Sequence, residues 1–215
     1  MRKVIIGTLC YDGRVSVDYV HALIGTLAAA SEHQVKFFPL HVCYDALVQR
    51  ARNDVIRMAV ESGCDDLIFI DADQSWNPQD VFRLLDHAVN VVGAAVPKKN
   101  DIPDWNVKRL PAFVVDETTG LIAVESVGTG FLRLSSDALA CVWALGVPYS
   151  DNGRSGRMVC DVRVIDGELC SEDTALCRTW ASTGGTVWID PEIAIAHTGP
   201  KTFTHDIRTR VYVGH

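Results

Sequence analysis

The segment Leu67-Ile68-Phe69-Ile70 runs without a polar interruption into Asp71-Ala72-Asp73. Consecutive large apolar residues leave no polar alternation, so a strand built from them must be covered on both faces. Sheets covered on both faces are parallel or mostly so, with helices as crossovers, which restricts the chain to an α/β architecture. The flanking pattern agrees. Residues 3–9 and 34–40 read as strands. Residues 16–30 read as a helix, with Val17, Val20, His21, Ile24 and Leu27 at three- and four-residue spacing. A second helix covers 45–62, with Leu47, Ala51, Val55 and Met58 on one stripe and Gly63 closing it. A third covers 78–87, with Pro78 in its first turn, and 89–96 returns as a strand.

The second half is less regular. Residues 97–110 hold two prolines and no period, which predicts a long surface loop. Residues 113–115 and 121–125 flank a five-residue turn and predict a hairpin. Gly128-Thr129-Gly130 breaks the next segment, and Ser135 or Ser136 caps a helix to about 145. Residues 148–156 form a polar, glycine-rich loop, and 149–157 are expected to close as a lid, with Arg154 and Arg157 on a ligand. A last helix spans 171–184, followed by short strands at 186–189 and 193–196.

Composition excludes several classes. With 48% hydrophobic and 22% charged residues over 215 positions, the chain is globular and sized for one domain. Asp and Glu outnumber Lys and Arg 27 to 20, a net charge of −7, which argues against a sequence-independent nucleic-acid coat. The seven cysteines are odd in number and contain no CxxC pair, unlike a zinc ribbon or a secreted disulfide framework. No apolar run approaches the roughly 20 residues of a membrane helix. The short apolar stretch after Met1 is not a signal peptide. The expectation is a cytoplasmic protein without a membrane partner, in the host cytoplasm if the chain is viral.

Three constellations carry chemistry. Asp71 and Asp73 follow a buried strand, at the end where open parallel sheets bind ligands. In extended backbone residues two apart point to the same side, so the two carboxylates are expected to converge and suit a hard cation such as Mn²⁺ or Mg²⁺. The plain alternative is a turn that leads into the helix at Pro78. Ser171-Glu172-Asp173 reads either as an N-cap with acids favouring the helix dipole or as a general base held at a rigid helix start. His197, after an apolar run, is either a hydrogen-bonded structural residue or the nitrogen ligand of a two-carboxylate metal site. Arg50, Arg52 and Asn53 read as a polar helix face. Of the five tryptophans, Trp105 alone sits in a polar segment.

Taken in order, these pieces resemble GT-A glycosyltransferases of the family 2 type and small phage-encoded members. The resemblance is carried by the strand ending in Gly7-Thr8-Leu9-Cys10-Tyr11-Asp12-Gly13, by Arg50-Ala51-Arg52-Asn53, and by Phe69-Ile70-Asp71-Ala72-Asp73 as the DxD motif. Gly128-Thr129-Gly130-Phe131, Ser171-Glu172-Asp173 as the xED motif, and His197 complete it. It implies a single Rossmann-like domain over 1–215, with a mixed, mostly parallel sheet flanked by helices. Residues 1–97 would be the nucleotide-sugar half, about 98–200 the acceptor and catalytic half, and 201–215 a tail. By the same resemblance, Thr8, Cys10, Tyr11, Arg52, Asp71, Ala72, Asp73 and Gly130 bind the nucleotide-sugar donor, a UDP-sugar. Asp73 and His197, with Asp71, hold Mn²⁺ or Mg²⁺. Asp173, or Glu172 in its place, takes the proton of an acceptor hydroxyl with inversion. Haloacid-dehalogenase-type phosphatases also place DxD after an apolar strand, but have Thr or Val where this chain has Ser75. A non-catalytic nucleotide-sugar binding module is the third reading.

The size and motif order resemble phage enzymes that glycosylate hydroxymethylated pyrimidines in DNA, which would make such DNA the acceptor; the alternative is a small molecule, glycan or protein. Lys98, Lys99, Lys108 and Arg109 outnumber Asp101 and Asp104, and Lys201, Arg208 and Arg210 outnumber Asp206. These two segments are the expected phosphate grip, with Trp105 available to stack on a flipped base.

Overall fold

A computed structural model describes residues 1–151, 153–165, 167–199 and 202–208. In chain order, the first half holds β1 (Arg2–Cys10), α1 (Val17–Ala29), β2 (Val35–Cys43), α2 (Val48–Ser62), β3 (Asp66–Ile70), β4 (Gln74–Ser75), α3 (Pro78–Asp86) and β5 (Val91–Gly93). Next come β6 (Val107–Val115), β7 (Ile122–Val127), β8 (Phe131–Ser135), α4 (Ser136–Leu145), β9 (Val147–Asp151) and β10 (Arg154–Met158). The remainder is β11 (Arg163–Ile165), β12 (Glu168–Cys170), α5 (Glu172–Ala181), β13 (Val187–Ile189), β14 (Ala196–His197) and β15 (Phe203–Thr204).

Eight strands form the main sheet in the order β2-β1-β3-β8-β5-β13-β7-β6. β2, β1, β3, β5, β13 and β6 run one way, and β8 and β7 the other. This is the mixed, mostly parallel α/β sheet that the sequence predicts. The apolar run of β3 divides its side chains as its pleat requires. Leu67 and Phe69 pack with α2, α4 and α5 on one face, while Ile68 and Ile70 pack with α1 and α3 on the other. α2 lies so close to β1 that a Cβ on Gly7 would meet Val55 Cγ1 at 2.5 Å.

The helices begin and end where their caps dictate. The Ser16 hydroxyl accepts from Tyr19 N at 3.1 Å to start α1, and Gly63, at φ 61°, ends α2 in the left-handed region. Asn77 and Asp80 form a reciprocal capping box around Pro78 on α3. At the lower end of β3, the fully buried Asp66 accepts from Arg2 Nε at 2.5 Å and Arg133 Nε at 2.7 Å, joining β1, β3 and β8.

Five features differ from what the sequence pattern suggests. The α1 stripe does not face the core: Val17, Val20, Ile24 and Leu27 are exposed, and Tyr19, Ala22 and Thr26 are buried instead. Tyr19 bonds Thr8 at 2.6 Å and Thr26 accepts the Trp76 indole at 3.0 Å, so polar partners selected the inward face. The expected loop 97–110 is closed by a Pro97–Trp105 bridge and passes into β6 at Val107. The expected lid 149–157 is the β9–β10 hairpin, Asn152 lying outside the described residues. In it Arg157 donates to the carbonyls of Ala144 and Gly146 at the end of α4. Arg154 lines a separate cleft with Asp54, Arg57 and Tyr149. Asn53 is no surface residue: it is buried, its Oδ1 accepting from Val159 N and Cys160 N at 2.8 Å each. Trp105 is only 4% exposed, packed with Ala95 and Ile207 and edge-on to His205, so it is unavailable for base stacking.

Candidate functional site

The C-terminal ends of β1 and β3 open onto a crevice, as expected where parallel strands leave a sheet. After Ile70 the backbone turns, with Gln74 N donating to Asp71 O at 3.2 Å, so the extended geometry assumed for Asp71 and Asp73 is absent. The turn is held at every carbonyl. Ala72 O accepts from Ser16 N at 2.8 Å, fixing the start of α1, and Asp73 O accepts from Thr198 N at 2.7 Å beyond β14. The two aspartates therefore separate in role. Asp71 Oδ1 faces Arg52 Nη2 at 3.4 Å, while Asp73 faces His197 and Lys99.

His197 is oriented by its other nitrogen. Its Nδ1 lies 2.7 Å from the Pro97 carbonyl, an acceptor only, so Nδ1 carries the hydrogen. Nε2 then points at Asp73 Oδ1, 3.3 Å away. With Nδ1 given to Pro97, Nε2 donates to Asp73 only in the imidazolium, whereas the neutral imidazole offers a lone pair to a cation shared with the carboxylate, the arrangement of a metal-ligating pair with its supporting carbonyl. Lys99 Nζ bonds the second oxygen, Asp73 Oδ2. Burial would raise the Asp73 pKa, but the His197 and Lys99 bonds outweigh it and bring it down to about 2. Among the described residues, no three His, Cys, Asp or Glu side chains converge as a full cage. A cation on Asp73 and His197 would thus take its other ligands from water or from a ligand's oxygens, as Mg²⁺ and Mn²⁺ do.

Arg52, only 6% exposed, ties this end of the sheet to α5. Its Nε faces Glu172 Oε1 at 3.4 Å, its Nη2 faces Asp71, and its Nη1 is buried without a partner. Burial works against its charge, and Asp71, Glu172 and Asp173 more than restore it, leaving a raised pKa. Both ion pairs are longer than the 2.7–2.9 Å of a well-made charged bond, so the guanidinium retains donor capacity for an anion.

At the start of α5, Ser171 occupies the N-cap position, but its hydroxyl makes no capping bond to the helix backbone. It bonds Asp173 Oδ1 instead, which also accepts from Thr174 N at 2.8 Å. Asp173 Oδ2 accepts from Asn106 Nδ2 at 3.2 Å. Glu172 thus serves Arg52, and Asp173 looks toward the segment before β6.

Two cavities meet here. The first, 560 Å³, is lined by Tyr11, Arg14, Arg52, Asp71, Asp73 and His197, with Ala72 among them. The second, 430 Å³, is lined by Gln74, Lys99, Asn106 and Gly130, with Asp71 and His197 again on its wall. Asp71 and His197 are therefore the edge common to both lobes. Thr8 and Cys10 are not brought to either. They share the inward face of β1, Thr8 fully buried against Tyr19 and Cys10 buried beside Cys43, where burial and Cys43 push its thiol up to about 11. Leu9 and Tyr11, on the other face, line the cavity in their place. Gln74 and Asn106 were not singled out from sequence, and Lys99 was read only as part of a DNA phosphate grip, because β4–β14 pairing and the Pro97–Trp105 bridge bring them in, and neither leaves a local pattern. Another cavity, 530 Å³ along β6 and β7, touches none of the motif acids.

No family model and no curated protein sequence matches the chain. Among solved structures it is similar to A197 from STIV, with 15% identity and a TM-score of 0.55 over 93% of this chain and 86% of that one. A glycosyltransferase involved in glycosylation of the major capsid of PBCV-1 aligns at 14% identity and TM-score 0.37, over 67% of each chain. HddC from Yersinia pseudotuberculosis aligns at 13% and 0.32, over 65% of this chain and 79% of that one. The last two superpose too loosely to extend the comparison. The likeness to A197 covers nearly the whole chain and shows a shared fold.

Proposed function

We propose that the protein is a GT-A-type glycosyltransferase that moves a sugar from a nucleotide-sugar, a UDP-sugar, to an acceptor hydroxyl. The observation that carries this reading is the shared edge of the two lobes, with a half-satisfied guanidinium and the Asp73–His197 pair on one side and, on the other, Asn106, behind which the buried Asp173 accepts its amide. A diphosphate suits the first lobe, where Arg52 has donors to spare and Asp73 with His197 would hold Mn²⁺ or Mg²⁺. Such an ion, when bound, offsets the charge on the leaving nucleoside diphosphate. The phosphatase alternative requires Asp71 as a free nucleophile, whereas here Asp71 Oδ1 is paired with Arg52 Nη2 at 3.4 Å.

In the reaction, the acceptor oxygen attacks the anomeric carbon as its bond to the phosphate oxygen breaks. Asp173 takes the acceptor proton, held in place by Ser171, Thr174 and Asn106. Glu172 keeps Arg52 aimed at the leaving diphosphate. One displacement inverts the anomeric centre. For the acceptor, Lys98 pairs with Asp104, Lys99 with Asp73, and Lys108 with Glu125 and Glu168, while Arg208 pairs with Asp206 and Glu192. Lys201 and Arg210 lie outside the described residues. With Lys98, Lys99, Lys108 and Arg208 paired internally and Trp105 buried, a small-molecule, glycan or protein hydroxyl is preferred here over DNA.

The test offers UDP-glucose with Mn²⁺ to hydroxymethylated DNA, unmodified DNA, glycans and simple hydroxyl acceptors, reading transfer by mass spectrometry and anomeric configuration by proton NMR. Transfer with inversion, lost about 100-fold or more in Asp173→Asn, is the expected result. Retention removes Asp173 from the role of base, and salt-sensitive transfer to hydroxymethylated DNA alone restores the DNA reading. Full calorimetric UDP binding by Asp73→Ala would remove the diphosphate from the first lobe.

A further inference from the structure

The second lobe has a floor that the motif residues do not explain. Gly128 and Gly130 both lack positive φ, so neither is required for conformation. Each provides space. A Cβ on Gly130 would sit 2.2 Å from Gln74 Nε2 and 2.9 Å from Asp71 Oδ2, and one on Gly128 would sit 2.2 Å from Asn106 Nδ2. The two glycines thus admit two carboxamides. Gln74 is 1% exposed, and its Oε1 is buried with no hydrogen-bond partner. Its backbone is held by pairing to His197 across β4–β14. Its terminal torsion is two-fold and soft, so either end of the amide can turn to the cavity. A buried amide oxygen without a donor is costly unless a ligand supplies one.

Carboxamides donate and accept, which suits hydroxyl groups, whereas a phosphate accepts only. Asn106 already spends Nδ2 on Asp173 and keeps its carbonyl for a hydroxyl. We infer that Gln74, with Asn106, reads the hydroxyls of the transferred sugar, and that Gln74 sets which sugar the enzyme accepts. This rests on the glycosyltransferase reading of the same cavities. The nucleotide and diphosphate lie in the first lobe, whose walls do not include Gln74.

The experiment compares wild type, Gln74→Met and Gly130→Ala. Calorimetry with Mn²⁺ gives affinities for UDP, UDP-glucose and UDP-galactose, and kcat/KM is measured for both sugars. Gln74→Met keeps shape and removes both hydrogen-bonding ends. Gly130→Ala leaves the core composition intact and displaces the amide, so it carries the test if Gln74→Met does not fold. UDP affinity is expected to stay within about twofold, while affinity for the preferred UDP-sugar falls about tenfold or more. The ratio of kcat/KM between the two epimeric sugars should shift about tenfold, a change that loosened packing would not produce. Equal losses for UDP and UDP-sugar, or no loss in either variant, would overturn the role of Gln74 while leaving the transferase intact. Wild type binding neither UDP nor any UDP-sugar would overturn both.

Discussion

Arg52 shows how much one residue can hold at this site. Its guanidinium stands between Asp71 and Glu172 at 3.4 Å from each, almost fully buried. Arg52→Ala would leave two carboxylates facing each other without their cation, and removing one partner of a buried pair costs about 3–5 kcal/mol. Asp71 is a third exposed, so the lower end applies, and urea denaturation should show a loss of about 3 kcal/mol. No loss would mean that the charges are screened and Arg52 serves the ligand alone. Residues of this kind were legible in the sequence because their chemistry is tied to order along the chain: Arg52, Asp71, Asp73, Glu172, Asp173 and His197 all reach the two lobes or their supports. Thr8 and Cys10 were misplaced because strand alternation, fixed by Tyr19 packing onto Thr8, turned them inward. Gln74, Lys99 and Asn106 arrive by long-range pairing, which no local spacing records.

At the scale of elements, periodicity located helices well but did not always orient them. α1 exposes the more apolar of its two stripes, and its buried face is built from Tyr19, Ala22 and Thr26. Ile24→Gln should therefore change stability by less than about 0.5 kcal/mol. Thr26→Val, which strips the Trp76 indole of its acceptor, should cost about 1–3 kcal/mol. The reverse order in chemical denaturation would return Ile24 to the core. α3 is anchored differently, through Asp190 after β13, which accepts from Arg83 Nε at 2.5 Å and lies 2.8 Å from His87 Nε2. Burial would raise the Asp190 pKa, but the His87 and Arg83 bonds lower it below the usual carboxylate range. A depressed folded pKa stabilises above the unfolded value and stops doing so as pH falls through the folded one. Stability of the wild type should therefore decline below about pH 4, with a shallower decline in Asp190→Asn. Parallel pH profiles for the two proteins would detach Asp190 from acid sensitivity. The hairpins β9–β10 and β11–β12 escaped detection because short polar strands carry little hydrophobic alternation and are specified by their pairing.

Across the whole molecule, the candidate site is where distant parts of the chain are tied together. The turn after β3 bonds Ser16 ahead of α1 and Thr198 beyond β14, Arg52 of α2 reaches Glu172 of α5, and Asp173 reaches Asn106 before β6. A ligand filling the first lobe therefore bears on elements from both halves of the sequence, and its binding free energy should appear as stability of the entire fold. At a concentration of about 100 times Kd, a ligand that binds only the folded chain stabilises it by about 2.7 kcal/mol. For a chain of 215 residues, each kcal/mol moves Tm by about 2–4 °C, so UDP with Mn²⁺ should raise Tm by about 5–10 °C. If Asp73 and His197 hold the ion, chelator should remove most of that shift, and His197→Ala should lose it while retaining its own unliganded transition. Asp173→Asn, outside the first lobe, should keep it. Differential scanning fluorimetry with and without chelator decides the matter: an equal shift in both conditions would leave Arg52 as the sole grip on the diphosphate and turn the Asp73–His197 pair, with Lys99, into an internal charge cluster.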